Sequence, residues 1–115
     1  MQAPAPSPAE LAAAQLDAYN RKDLDAFCAC YSEDVKVWHP PEAQPRLVGM
    51  AAFRALYANG PFLEPAVQAE VRQRMVSGDL VVDHEWVHGR GDTPLSLFVV
   101  YRCRGGRIAE VFFHR

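Results

Sequence analysis

Nine residues in the second half of the chain, Leu80-Val81-Val82-Asp83-His84-Glu85-Trp86-Val87-His88, alternate with a period of two. That period sends successive side chains to opposite faces of an extended strand. Asp83 and Glu85 mark a wet face, so the spacing predicts that Val82, His84, Trp86 and His88 share the enclosed one. Imidazoles and an indole on an enclosed face point to a pocket rather than a plain aliphatic core. The string His84-Glu85-Trp86-Val87-His88 also fits H-E-x-x-H, the zinc protease signature. That signature works on a helix, where residues four apart share a face. On a strand the two imidazoles stand about 13 Å apart, too far to share one ion. Neither a metal nor an organic cofactor is expected.

The segments around this strand have readable ends. Ser7-Pro8-Ala9-Glu10 combines an N-cap, a proline at the first helical position and a capping-box glutamate. A helix to about Asn20 follows, with Leu11, Ala12, Gln15, Leu16, Ala18 and Tyr19 including its buried stripe. Asp23 caps a second short helix carrying Leu24, Phe27, Cys28 and Tyr31. Val35 to His39 alternates as a strand and stops at Pro40-Pro41. Val35, Val37 and His39 share one face, Lys36 and Trp38 the other. Glu42 to Val48 reads as a loop. Gly49 opens a third helix, with Met50, Phe53, Leu56 and Tyr57 on one side and Asn59-Gly60-Pro61 as its stop.

Four strands complete the chain. Val67, Ala69, Val71, Gln73 and Met75 oppose Gln68, Glu70, Arg72 and Arg74. Ser77-Gly78-Asp79 turns into the central strand, Gly89 to Pro94 turns into Leu95 to Cys103, and Gly105-Gly106 turns into Ile108 to His114. Leu97, Val99 and Tyr101 lie on one face of the third of these, Phe98 and Val100 on the other. A sheet apolar on both faces must be covered on both. Three helices cover one face, so the other is expected to meet a second copy of the chain in a homodimer.

With 115 residues the chain is one domain, read as residues 7–115 behind a flexible lead-in at 1–6. Twelve basic and 14 acidic residues are interspersed, which leaves no basic stripe for nucleic acid and no polybasic membrane patch. No apolar run is long enough to span a bilayer. The start, Met1-Gln2-Ala3-Pro4-Ala5-Pro6, lacks the basic and apolar regions of a signal peptide. Cys28, Cys30 and Cys103, odd in number and without C-x-x-C spacing, fit reduced thiols. A cytoplasmic protein is expected.

The order helix, helix, short strand, helix, four long strands resembles the nuclear transport factor 2-like superfamily, which includes ketosteroid isomerases and SnoaL-like polyketide cyclases. The resemblance rests on Asp23-Leu24-Asp25-Ala26-Phe27, Tyr31-Ser32-Glu33-Asp34-Val35, Val48-Gly49 with Phe53 and Tyr57, and Gly106-Arg107-Ile108. It implies an α+β fold of the cystatin-like roll type. A curved antiparallel sheet wraps the N-terminal helices into a cone, with an apolar cavity open at one end. It also implies that His39 and His84 both face that cavity, and that Val111, Phe113 and Arg115 point inward. Where the isomerases carry their aspartate base, this chain has His39. Their helical oxyanion tyrosine corresponds to Gln15 and their protonated aspartate to Val99, while Tyr31 and Tyr57 match supporting tyrosines. Steroid isomerisation by that mechanism is therefore not expected, since Val99 has no proton to donate.

The expected cavity wall comprises Gln15, Tyr19, Val37, Phe53 and Tyr57, then Val82, Trp86, Val99 and Tyr101, with Val111, Phe113 and Arg115 from the last strand. A small hydrophobic molecule with one or two polar groups would fit it. Any chemistry would be proton transfer of isomerase, dehydratase or cyclase type, because a neutral imidazole accepts a proton near neutral pH. His39 is the first candidate base and His84 the second. Arg115 could hold a carboxylate or enolate at the mouth. The other reading is a non-catalytic binding or dimerisation module of the same fold.

Overall fold

The structure, a computed structural model, describes residues 4–115. The lead-in expected at 1–6 lies partly outside the described residues. Ala5 and Pro6 lie close to Gly106, where an added Cβ would come within 3.1 Å of Ala5.

Helix α1 spans Pro8–Arg21, and the capping box forms in full: Ser7 Oγ accepts from the Glu10 amide, and Glu10 accepts from the Ser7 amide. Asp23 caps α2, Leu24–Ala29, through the Ala26 amide at 3.1 Å. Strand β1 runs Tyr31–Trp38, β2 is the two-residue Leu47–Val48, and α3 is Met50–Ala58, followed by a 3₁₀ turn at Pro61–Leu63. The remaining strands are β3 Gln68–Ser77, β4 Leu80–His88, β5 Leu95–Arg104 and β6 Arg107–His114. No helix among the described residues is long and apolar enough to cross a membrane.

The six strands form one sheet in the order β2-β1-β6-β5-β4-β3. β3 to β6 are the expected antiparallel meander. β1, however, pairs parallel with β6, so the sheet is mixed rather than wholly antiparallel. The segment expected as loop from Glu42 to Val48 ends in β2, which adds an antiparallel edge to β1.

The helices cover the concave side. Phe27 stacks on Phe53 at 5.7 Å between ring centres, and Tyr31 and Tyr57 close over the pair. With Leu11, Val35, Val81, Val99 and Ile108, also buried, they make the core. Asn20, near the end of α1, fastens the helix to β3. Its amide donates to the Ala69 carbonyl and accepts from the Ala69 N–H, each at 2.8 Å.

Sheet rows fix which side chains share a face. Val81, Tyr101, Val111 and Val37 form one concave row across four strands. The neighbouring residues Val82, Val100, Phe112 and Trp38 form the matching row on the convex face.

Candidate functional site

The rows put the concave face of β4 in the opposite phase from the one the alternation suggested. Val81, Asp83, Glu85 and Val87 point under the helices, and Asp83 is wholly buried. Val82, His84 and Trp86 lie on the convex face. There His84 Nε2 lies 2.9 Å from Ser96 Oγ and its ring stacks on Phe98. The Arg72 guanidinium covers Trp86, 4.1 Å from the ring centre, and the buried Trp86 Nε1 has no partner among the described residues. His88 Nε2 pairs with Glu70 at 3.0 Å.

Two carboxylates can enter the concave side because the neighbouring strand treats them differently. β3 carries a register shift between Val71 and Gln73. Such a bulge changes which residues face inward. Ahead of it Val71 opposes Glu85; beyond it Arg74 opposes Asp83. Arg74, which the alternation along β3 groups with Glu70 and Arg72 on the side away from Val71, therefore turns inward. It donates to both oxygens of Asp83, at 2.7 and 2.9 Å. Glu85 instead lies between Val71 and Leu97, its register partners on either side. Among the described residues no side chain donates to it. Burial, reinforced by the negative charge of Asp83, pushes its carboxyl up to about 7.

Glu85 opens on a cavity of about 440 Å³ between the sheet and the helices. Gln15, Leu16 and Tyr19 of α1 form part of the wall, with Leu56 and Tyr57 of α3. Val37, Tyr101, Val111, Phe113, Leu95, Leu97 and Val87 form the sheet side. His39, Arg46, Leu47, Arg90 and Arg115 also line it, from strand ends and loops. Gly89 brings the chain round to Arg90. Its φ is +90°, and a Cβ there would lie 2.0 Å from the Ala66 carbonyl oxygen, so only glycine fits this turn.

The polar groups on this wall differ in how firmly they are held. Arg46 is bound bidentately to Glu42, at 2.9 and 2.7 Å. Arg90 stands 3.9 Å from Glu64. His39 packs on Phe113 at 5.5 Å between ring centres. Partial burial lowers its pKa, and the nearby Arg46 and Arg115 charges lower it further against an opposing pull from Glu42. These effects together favour the neutral ring. Tyr31 donates to Gln15 Oε1 at 3.0 Å, and Gln15 Nε2 donates to Tyr101 Oη at 3.1 Å. Burial raises the Tyr31, Tyr57 and Tyr101 hydroxyls well above the usual tyrosine range, and Tyr19 to about 12. All four are neutral donors at physiological pH.

Of the expected site residues, the structure brings His39, Gln15, Tyr19, Val37, Tyr57, Tyr101, Val111, Phe113 and Arg115 to one cavity. His84, Val82 and Trp86 are corrected to the opposite face, so His39 and His84 share no hollow. Phe53 and Val99 are fully buried and do not reach the cavity surface. Phe53 is capped by its aromatic neighbours, and the short Val99 lies in the sheet row between Asp83 and Phe113. Alternation alone does not find Glu85, because a charged side chain on a strand ordinarily marks the solvent face. One signal was available. A two-residue turn at Gly78-Asp79 pairs Ser77 with Leu80, and counting back sets Arg74 opposite Asp83. An arginine facing an aspartate can be read as a buried pair as well as a wet one.

Residues 12–111 match the family profile described as the SnoaL-like domain. No curated protein sequence matches the chain. Among solved structures, the chain is similar to a cystatin-fold protein from Novosphingobium aromaticivorans, with 24% identity and a TM-score of 0.81 over 95% of this chain and 98% of that one. It is similar to an NTF2-like protein from Cytophaga hutchinsonii, with 14% identity and a TM-score of 0.80 over 99% and 93% of the two chains. It also resembles a candidate polyketide cyclase from Sinorhizobium meliloti, with 23% identity and a TM-score of 0.74 over 90% and 93%. These likenesses establish the nuclear transport factor 2-like fold.

Proposed function

The chain belongs to the SnoaL-like domain family, and from that membership we propose that its cavity receives a small, mostly apolar molecule and moves a proton on it. The observation that carries this reading is Glu85: a carboxyl without a partner among the described residues, titrating at about 7 on the wall of an apolar cavity. A group with that pKa is present in both forms at neutral pH, so it can accept a proton and return it. In the first step a C–H bond next to a carbonyl breaks, Glu85 takes the proton, and the electron pair moves onto the carbonyl oxygen. Return of the proton at another carbon is isomerisation; attack of the enolate on a second carbonyl is cyclisation. The likeness to a candidate polyketide cyclase supports this class. His39, neutral and on the same cavity, is the second proton carrier.

The test is deuterium incorporation from D₂O into simple enolisable ketones such as 2-tetralone, followed by NMR. The wild-type protein accelerates exchange, with a rate that rises with pH through about 7 as Glu85 ionises. Glu85→Gln abolishes the acceleration, and His39→Gln reduces it. Exchange unchanged by Glu85→Gln removes the carboxyl from the account.

The convex face supports a homodimer. Phe98 and Met75 are 48% and 65% exposed beside the row of Val82, Val100, Phe112 and Trp38. A contiguous apolar face of this kind marks an interaction surface, and a second copy of the chain would cover it. Light scattering should give twice the chain mass for the wild type and a monomer for Phe98→Glu. The three unpaired cysteines support a reducing compartment such as the cytoplasm.

A further inference from the structure

The hydrogen bonds at Gln15 fix where the Tyr101 proton can go. Gln15 Nε2 donates to the Ala12 carbonyl at 3.1 Å as well as to Tyr101 Oη at 3.1 Å. A carbonyl oxygen only accepts, so the amide nitrogen must face Ala12 and the side chain cannot be flipped. Oε1 is then turned to Tyr31, which donates to it at 3.0 Å. Tyr101 Oη is therefore an acceptor towards Gln15, and its own proton is left for another direction. Among the described residues nothing accepts it. Tyr101 lines the cavity and is buried, so its hydroxyl proton has no bulk water to bond.

Two further facts make this hydroxyl different from the others on the wall. A hydroxyl whose oxygen already accepts a hydrogen bond is a stronger donor through its own proton. That same bond restricts its rotation, whereas Tyr19 and Tyr57 make no hydroxyl hydrogen bond among the described residues and can turn freely. Burial and the charges of Glu85 and Asp83 hold the Tyr101 proton in place far above neutral pH. A buried donor without an acceptor costs free energy until a ligand supplies one.

We propose that Tyr101 reads the ligand: oriented by Gln15 and Tyr31, it donates its hydroxyl proton to a carbonyl oxygen, and so selects ketones over hydrocarbons of the same shape. The inference deepens the cavity reading above and rests on it for the site. It names Tyr101 as the specificity-determining contact and the ligand as a carbonyl compound. Ligands that present only a donor at that point, such as ammonium groups, are disfavoured because two donors would face each other.

The experiment compares two probes of nearly equal shape, 2-tetralone and 1,2-dihydronaphthalene, by equilibrium titration of the wild type and Tyr101→Phe. The phenylalanine keeps the ring and removes the proton. The ratio of ketone to hydrocarbon affinity should fall roughly three- to tenfold, the usual net size of one hydrogen bond. Hydrocarbon affinity should be unchanged. The infrared carbonyl stretch of bound 2-tetralone should be lowered in the wild type and return upward in Tyr101→Phe. Gln15→Met, which frees the Tyr101 oxygen but keeps its proton, should give an intermediate stretch. An unchanged ratio and stretch in Tyr101→Phe overturn the assignment while leaving the cavity as a binding site. A wild type that binds neither probe overturns the cavity reading and the ligand class together. Selective ketone binding without deuterium exchange keeps Tyr101 and removes the proton transfer.

Discussion

Asp83 and Glu85 leave the same face of β4 two residues apart, yet they live in different electrostatic worlds. Asp83 is wholly buried and gripped by Arg74. Glu85 is flanked by Val71 and Leu97, and its carboxyl is pushed up to about 7. The strand that carries them is regular; the difference comes from the bulge in the neighbouring strand. A buried carboxylate becomes a structural anchor where the adjacent strand offers a cation. Where that strand offers only hydrocarbon, the carboxyl keeps its proton up to about pH 7.

The comparison can be broken most forcefully at Arg74. Arg74→Met leaves Asp83 buried without its cation, and urea unfolding should show a loss of about 3–5 kcal/mol. A loss below about 1 kcal/mol would mean that Asp83 does not depend on the pair. Glu85→Gln should act in the other direction. The folded state holds the Glu85 proton more tightly than the unfolded state, where the carboxyl titrates near 4.5. Stability from this group is therefore fully present below about 4.5 and is lost as pH rises through about 7. The variant should match wild type at pH 4 and exceed it at pH 8 by up to about 3 kcal/mol. Unfolding curves at the two pH values check the sign as well as the size.

A finer change would convert one carboxyl environment into the other. Val71→Arg sets a cation opposite Glu85 and should lower its pKa by about 1 to 2 pH units, read from the ¹³C titration of the carboxyl. The pH dependence of exchange should move down with it. The smallest effect belongs to the convex face. Trp86→Phe removes an unpartnered N–H and weakens the Arg72 stack, so it should cost no more than about 1 kcal/mol. His84→Gln should leave exchange in the cavity unaltered. A large loss of exchange in His84→Gln would mean that the convex face reaches the site.

Much of the architecture was legible from local chemistry. Ser7, Pro8 and Glu10 announce α1, Asp23 announces α2, and the Gly78-Asp79 and Gly105-Gly106 turns set the hairpins. Val35 and Val37 correctly fixed the phase of β1, because its outward positions are charged or aromatic. The phase of β4 was not legible by the same rule, since both of its faces mix apolar and ionisable groups. The deciding information lay in β3, where the bulge reverses the alternation beyond Val71. The parallel pairing of β1 with β6 was equally hidden, because it joins segments more than seventy positions apart. Tyr101 could be placed on the inward face from its strand alone, but its spare proton follows only from Gln15 and Ala12 together.

β3 is the last strand of the sheet, and its outer rim would otherwise offer a row of open peptide groups. At Ala69 the Asn20 side chain meets that rim with one donor and one acceptor, as the backbone of a seventh strand would. A side chain that imitates a rung occupies the place where an alien segment would begin to zip on. Asn20→Ala would uncover that first rung, and the consequence would be read less in the melting curve than in the tendency of concentrated samples to form fibres.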